Sequence, residues 1–352
     1  MKNIIDNNTL QFRNFLNSNF YFNISEIKRI SQGKNSRVYR LIIEKQNSLV
    51  AKIYFQSKND QRDRLNTERQ ALEFLWNHGL RDIPKIVHTD EKNGFTIFRF
   101  VEGKKIISSE TDVNDIENVI GFLTQLKNLG KLQESLGLPT ASEAFFTLKE
   151  IENNIEKRLN RLLLIQSNNT ESRDLKTMLK KTFIPGFEKI KKWSRQKAIV
   201  TKVDYNAPIS IDERILSPSD FGFHNALKLF DNKLVFLDFE YFGWDDPAKL
   251  IIDFVLHPAM NISEDLKSYF VNEIIIRFQI TNLLSRVKIM YPLLGLKWCM
   301  ILLNEFLPNE FERRDFACQY RKEKSKIRAI QLAKSEKMFD FIKNTYERFP
   351  YA

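Results

Sequence analysis

Two short runs hold the side chains best suited to chemistry. The first is Ser217-Pro218-Ser219-Asp220-Phe221-Gly222-Phe223-His224-Asn225, and the second is Leu234-Val235-Phe236-Leu237-Asp238-Phe239-Glu240. Asp220 and Asn225 stand five apart in a loop, and Asp238 closes an apolar strand-like run. Phosphoryl transfer asks a protein for a carboxylate that orients or accepts the proton of an attacking hydroxyl. It also asks for oxygen ligands that hold Mg²⁺ on the nucleotide phosphates. One loop and the hairpin after it would supply all three groups.

Upstream, Gly33 lies in the turn Ser31–Ser36 between two strand-like runs, and Val50-Ala51-Lys52 falls on the next strand. A glycine lets backbone approach phosphates closely. A lysine on the adjacent strand reaches the α- and β-phosphates as a compact positive charge. Glu68, sixteen positions after Lys52, sits on an expected helix whose Leu72 and Leu75 face the sheet, so its carboxylate would fix the lysine ammonium. Each feature is weak alone. A single glycine is far less than a glycine-rich loop, and a glutamate among Arg64, Arg69 and Gln70 reads equally as a solvated surface residue.

The elements that must position these groups follow from pattern. Short β-prone runs at Ile24–Ile30, Arg37–Ile43 and Leu49–Tyr54 alternate with turns, as in an antiparallel sheet. Asp60–Asn77 carries Leu65, Ala71, Leu72 and Leu75 on one helix face. Pro84–Val87 and Phe95–Val101 restore strand character. From about Asp112 the texture changes to long amphipathic helices at Val113–Leu132, Thr147–Leu164 and Leu175–Lys197, the last expected to kink or divide at Pro185-Gly186. Ile215–Trp244 is strand and turn again, and Pro247 onward is mostly helical. The fold class expected is α+β and bilobal: a small antiparallel sheet with one main helix over residues 1–103, and a larger, mostly helical lobe over residues 104–352.

Composition sets the outer bounds. The chain has 352 residues, 43% hydrophobic, 28% charged and 12% aromatic, which fits a folded protein. That length exceeds what a single core usually supports, so two lobes with a cleft between them are expected. Lys and Arg total 55 against 44 for Asp and Glu, a formal +11. The basic residues are dispersed, and no nucleic-acid motif accompanies them, so no specific nucleic-acid partner is expected. Cys299 and Cys318 show neither CxxC spacing nor a supporting histidine cluster, which points to no disulfide framework or zinc site. The start, Met1 to Asn8, lacks an export signal, and a cytoplasmic location is expected. The apolar stretch Ile289–Leu303 contains Pro292 and Lys297 and reads as a buried helix, not a membrane span.

With these residues in place, the chain resembles the aminoglycoside phosphotransferase and choline kinase family, a branch of the protein-kinase-like fold. The family's motif H-G-D-x-x-x-x-N is matched at Asp220 and Asn225, and its I-D-F-E by Leu237-Asp238-Phe239-Glu240. Gly243-Trp244-Asp245-Asp246-Pro247 resembles the family's G-x-x-D-P, although Asp253 falls later after the proline than is usual. The resemblance implies ATP and Mg²⁺ as cofactors and a small-molecule hydroxyl as acceptor. It implies that Lys52 binds phosphates with Gly33 and Ser36 nearby, that Glu68 positions Lys52, and that Asp220 is the catalytic base. Asn225 and Asp238 would ligate the metal, and Phe98, Arg99, Phe100 and Val101 would form the connector whose main chain grips adenine.

One departure stands out. Where the family has His-Gly before the catalytic aspartate, this chain has Pro218-Ser219, which puts the loop's geometry in question more than its chemistry. His224 is read first as a brace for the loop, with acceptor contact as the alternative. Glu240 and Asp245 are candidate acceptor-facing acids, Glu240 because two residues along a strand would place it on the same side as Asp238. Asp246 before Pro247 reads as a helix N-cap, and Asp253 as a loop brace. Only seven residues separate Asp238 from Asp246, with no Asp-Phe-Gly or Ala-Pro-Glu, so a peptide acceptor is disfavoured. A nucleotide-binding pseudokinase acting as a regulatory module is the alternative reading.

Overall fold

Lys52 owes its position to strand alternation. The computed structural model, which describes residues 9–20, 23–31, 36–44, 46–56, 60, 62–166, 169–307 and 324–351, contains a five-stranded antiparallel sheet. Its strands are β1 (Ile24–Ser31), β2 (Ser36–Ile43), β3 (Leu49–Tyr54), β4 (Ile86–Asp90) and β5 (Phe95–Arg99), in the order β1-β2-β3-β5-β4. In β3, Ala51 and Ile53 are buried in a small core with Phe12 and Leu16. Val50, Lys52 and Tyr54 therefore project from the opposite face. Lys52 is paired with Val38 on one side and Thr96 on the other, so its strand is central and its backbone fixed.

The small core is closed by helix α1 (Thr9–Phe20), an element with no counterpart in the expectation of one main helix for this lobe. Phe12, Phe15 and Phe20 meet the Phe95 ring with centroids 5.6, 6.3 and 6.2 Å away, all edge-on, which is the favoured aromatic geometry. The other face of the sheet receives helix α2 (Arg64–Asn77), capped by Asp63, whose side chain accepts from the Asn66 amide. Residues Ala71, Leu72 and Leu75 of α2 belong to the larger core, so this helix ties the sheet to the helical part of the chain.

That helical part comprises α3 (Val113–Leu129), α4 (Leu148–Leu163), α5 (Thr170–Met178), α6 (Ile184–Val200), α7 (Pro247–Leu256), α8 (Glu264–Phe278), α9 (Leu283–Leu302) and α10 (Lys324–Thr345). Helices α3 and α4 both begin with capping boxes, at Asp112/Asp115 and Thr147/Glu150. The break expected at Pro185-Gly186 takes a milder form: a π-helical stretch, Leu179–Phe183, joins α5 to α6 just before Pro185. The widened turn accommodates a residue with no amide hydrogen. Helix α9 is long and apolar enough to span a membrane by composition, but most of it is buried inside the protein.

Between sheet and helices, short strands carry the loop of interest. Strands β6 (Lys104–Lys105), β8 (Ala226–Lys228) and β9 (Leu234–Phe236) form one small sheet, and β7 (Ile215–Ser217) pairs with β10 (Gly243–Asp245). Residues 218–225 thus leave β7 and re-enter β8, while residues 237–242 leave β9 and re-enter β10.

Candidate active site

The Nζ of Lys52 lies 2.7 Å from Glu68 Oε2, 2.6 Å from Asp238 Oδ1 and 3.4 Å from Glu240 Oε2. Three distant segments therefore converge on one ammonium. Glu68 is itself held at both oxygens: the Tyr54 hydroxyl donates to Oε2 at 2.6 Å, and the Phe239 amide donates to Oε1 at 2.9 Å. Burial would lower the Lys52 pKa, but the surrounding Asp238, Glu68 and Glu240 outweigh it and hold the ammonium charged well above its ordinary value. Burial, with Glu68 alongside, likewise raises the Tyr54 phenol and keeps it a donor.

Asp238 is reached through an unusual backbone. Its φ is +67°, a left-handed conformation that costs a non-glycine residue on the order of 1 kcal/mol or more. The Leu237 amide donates to the Asn225 carbonyl at 2.8 Å, so the two segments bearing Asp238 and Asn225 are tied side by side. The Asn225 Nδ2 donates to the Asp220 carbonyl at 2.9 Å. That bond fixes the amide group and leaves its oxygen as the side chain's outward acceptor.

Asp220 stands at the tip of the loop with about a third of its side chain exposed. Both His224 Nε2 and His257 Nε2 approach its Oδ1, at 3.1 and 3.2 Å. Burial works against ionisation here, yet the hydrogen bonds of His224 and His257 hold this carboxyl well below the usual range. Phe221 and Phe223 anchor the loop in the core, and the Phe223 amide points at Met260 Sδ, 3.1 Å away. Before the aspartate, Ser219 adopts φ +67°, a conformation a glycine would take without cost. Its hydroxyl donates to the Ser142 carbonyl at 2.7 Å, an anchor a glycine lacks.

Glu240 and Asp245 are not where an acceptor would find them, which corrects the expectation drawn from spacing. Glu240 is 2% exposed, with Arg64 Nε 3.6 Å away on the side opposite Lys52. Burial, reinforced by the charge of Asp238, pushes its pKa up to about 7. Glu240 does share a side with Asp238, since both carboxylates reach the Lys52 ammonium, but burial takes it out of an acceptor's reach. Asp245 is fully buried against Lys249 at 2.7 Å. Asp246 does cap α7, accepting from the Ala248 amide at 2.7 Å, and also pairs with buried Arg286. Asp253 is a brace of a different element: Lys249, Lys297 and the Trp298 indole all converge on it.

Of the remaining candidates, Ser36 is buried at the start of β2, opposite Tyr54. Gly33 lies outside the described residues, as does Cys318. In the connector, Phe98 is buried, and the Arg99 and Phe100 amides donate to the Lys85 and Ser48 carbonyls. Arg40 stacks over the Phe100 ring at 4.0 Å. Two residues of the site were not singled out from sequence, Arg64 and His257. The chain has only four histidines. With none at the family's motif position, the second one in the larger lobe was a visible substitute.

Residues 26–179 match the model of the phosphotransferase enzyme family. Among solved structures, spectinomycin phosphotransferase APH(9)-Ia is 13% identical and aligns over 93% of this chain and 98% of its own, with a TM-score of 0.63. Plasmodium vivax ethanolamine kinase is 14% identical over 97% and 93% of the two chains, with a TM-score of 0.61. The aminoglycoside phosphotransferase APH(2'')-Ib, solved with ADP, is 17% identical over 94% and 99%, with a TM-score of 0.59.

The fold is that of the aminoglycoside phosphotransferases and choline kinases. No curated protein matches the sequence. The likeness in fold extends over nearly the whole chain, from the five-stranded sheet to the helical lobe.

Proposed function

We propose that the chain is an ATP- and Mg²⁺-dependent phosphotransferase that moves the γ-phosphoryl group to a hydroxyl of a small molecule, acting in the cytoplasm. The observation that carries this reading is the convergence of Lys52, Glu68 and Asp238 beside the loop bearing Asp220 and Asn225. The residues suit a divalent cation. Glu68, Asp238 and Glu240 gather around Lys52, and Asp238 keeps about a third of its side chain exposed. Hard oxygen donors of this kind match Mg²⁺. Asn225 and Asp238 would hold the ion, which when bound neutralises phosphate charge and polarises the transferred group.

The chain's own groups would do the rest. Lys52 exchanges part of its ion pairing for the nucleotide phosphates, while Glu68 keeps it in place. The Val101 amide makes no backbone hydrogen bond among the described residues, unlike those of Arg99 and Phe100, and is the natural donor to an adenine ring. Asp220 accepts the hydrogen bond, then the proton, of the acceptor hydroxyl. Asp245, Asp246 and Asp253 are already neutralised by Lys249, Arg286 and Lys297. That pairing favours an acceptor needing no carboxylate of its own, such as a sugar, over a polycation.

The test is ADP release measured with Mg·ATP and a panel of sugars, polyols and amino alcohols. Turnover that depends on an acceptor and falls at least 10³-fold in Asp220→Asn supports the reading. Tight ATP binding with no turnover on any acceptor would favour a nucleotide-binding regulatory module instead.

A further inference from the structure

Pro218 occupies the position where the family's motif places a histidine, yet Asp220 is not left unsupported. His224 and His257 stack face to face, ring centroids 4.0 Å apart and planes 4° from parallel, and both present Nε2 to the same oxygen, Oδ1 of Asp220. His224 comes from the loop itself. His257 comes from the C-terminal end of α7, where Pro258 stops the helix. Gly222 makes the stack possible: a Cβ there would lie 3.0 Å from His224 Nδ1 and 2.8 Å from Met260 Sδ.

The protonation state of His257 follows from its other nitrogen. The Ala259 amide donates to His257 Nδ1 at 3.1 Å, so Nδ1 carries a lone pair. The neutral ring must then carry its proton on Nε2, which makes His257 a donor to Asp220. The ring is held from behind by the Trp298 indole, edge-on at 4.7 Å and 81°, which is itself fixed by its hydrogen bond to Asp253.

The three groups also lie close enough to share a transition metal, their ligand atoms falling within 4.8 Å of one another. Such an ion needs a deprotonated Nε2, and metal-bound histidines ordinarily donate from the other nitrogen. The Ala259 amide enforces the reverse polarity at His257, which favours a hydrogen-bond clamp over a metal site.

We infer that His257, braced by His224 and Trp298, is a positioning residue that grips Asp220 by Oδ1 and turns Oδ2 toward the acceptor hydroxyl, in place of the histidine missing at position 218. Among the described residues no group is hydrogen-bonded to Oδ2. This inference rests on the phosphotransferase reading for its consequence, but the clamp itself is a property of the folded chain.

Its test pairs two measurements. Long-range ¹H–¹⁵N spectra of the full chain should show His257 as the Nε2–H tautomer, with its signals shifted in Asp220→Asn. An Nδ1–H tautomer would overturn the clamp whether or not turnover is found. In steady-state kinetics, His257→Ala should lower kcat about 10- to 100-fold, the size of effect that mispositioning a reacting group produces, with KM for ATP within about twofold. His257→Gln, which restores a donor at the Nε2 position, should recover most of that loss. Equal turnover in wild type and His257→Ala, equal loss in both variants, or stoichiometric Zn²⁺ binding abolished by His257→Ala would each overturn the inference. Wild-type protein lacking turnover with every acceptor would instead count against the phosphotransferase reading.

Discussion

The ammonium of Lys52 and the carboxylate of Asp238 stand 2.6 Å apart although they are 186 positions apart in sequence. The contact links the sheet to the hairpin that follows the loop bearing Asp220. Glu68 reinforces it from both sides, gripping Lys52 with one oxygen and the Phe239 amide with the other.

Glu68→Gln keeps the size and the acceptor for Phe239 but removes the charge opposite Lys52. A charge-assisted hydrogen bond contributes roughly 1.5–3 kcal/mol, so kcat/KM for ATP should fall on the order of 10- to 100-fold. Saturation kinetics on both proteins checks this. An unchanged kcat/KM would show that Asp238 alone positions the lysine.

Asp245 sets a pH dependence of stability. Burial raises its pKa from 3.8 to about 6 against the opposing pull of Lys249. The folded carboxyl thus binds its proton more tightly than the unfolded one. Its contribution to stability is full below pH 3.8 and is lost as pH rises through about 6. In urea unfolding, the stability of Asp245→Asn relative to wild type should therefore increase between pH 4 and pH 7. A difference independent of pH would contradict this.

Ser219→Gly exchanges two effects of opposite sign. Glycine relieves the left-handed strain, while the hydrogen bond to the Ser142 carbonyl is lost. Each is worth about 1 kcal/mol. Stability should stay within about 1 kcal/mol of wild type, and turnover should be retained. A loss of activity above tenfold would mean that the Ser142 tether, not the backbone conformation, places Asp220.

Gly243→Ala should be far more damaging. A Cβ there would sit 2.3 Å from the Pro139 carbonyl oxygen and 2.5 Å from the Ala141 amide, both backbone atoms that cannot rotate away. The same segment is bonded to Trp244 at 2.9 Å in both directions. Chemical denaturation should show a loss of about 3 kcal/mol or more. A near-neutral variant would imply that the 139–141 segment yields easily.

Much of this arrangement is legible in the sequence because it rests on local periodicity. Alternation in Leu49–Tyr54 and the apolar face of Arg64–Asn77 suffice to bring Lys52 and Glu68 together, and motif spacing suffices for Asp220, Asn225 and Asp238. Other features depend on contacts that spacing does not encode. Glu240 shares Lys52 with Asp238, as alternation suggests, but is buried with Arg64 alongside, which spacing does not reveal. Asp245 is drawn inward by Lys249, one helical turn along α7. Helix α1 is held by Phe12 and Leu16 against a sheet formed later in the chain. His257 finds Asp220 only because α7 ends where it does. The acids after Asp238 were readable as a cluster, but their pairing with Arg286 and Lys297 required the packing of α9.

The most direct measurement of the central claim is ³¹P NMR of Mg·ATP incubated with an acceptor that supports turnover, in wild type and in Asp238→Asn. Wild type should yield ADP and a phosphomonoester in equal amounts, only with Mg²⁺ present, and Asp238→Asn should slow transfer by at least 10³-fold. Transfer that proceeds equally in Asp238→Asn, or without a divalent cation, would contradict a single site for triphosphate and metal.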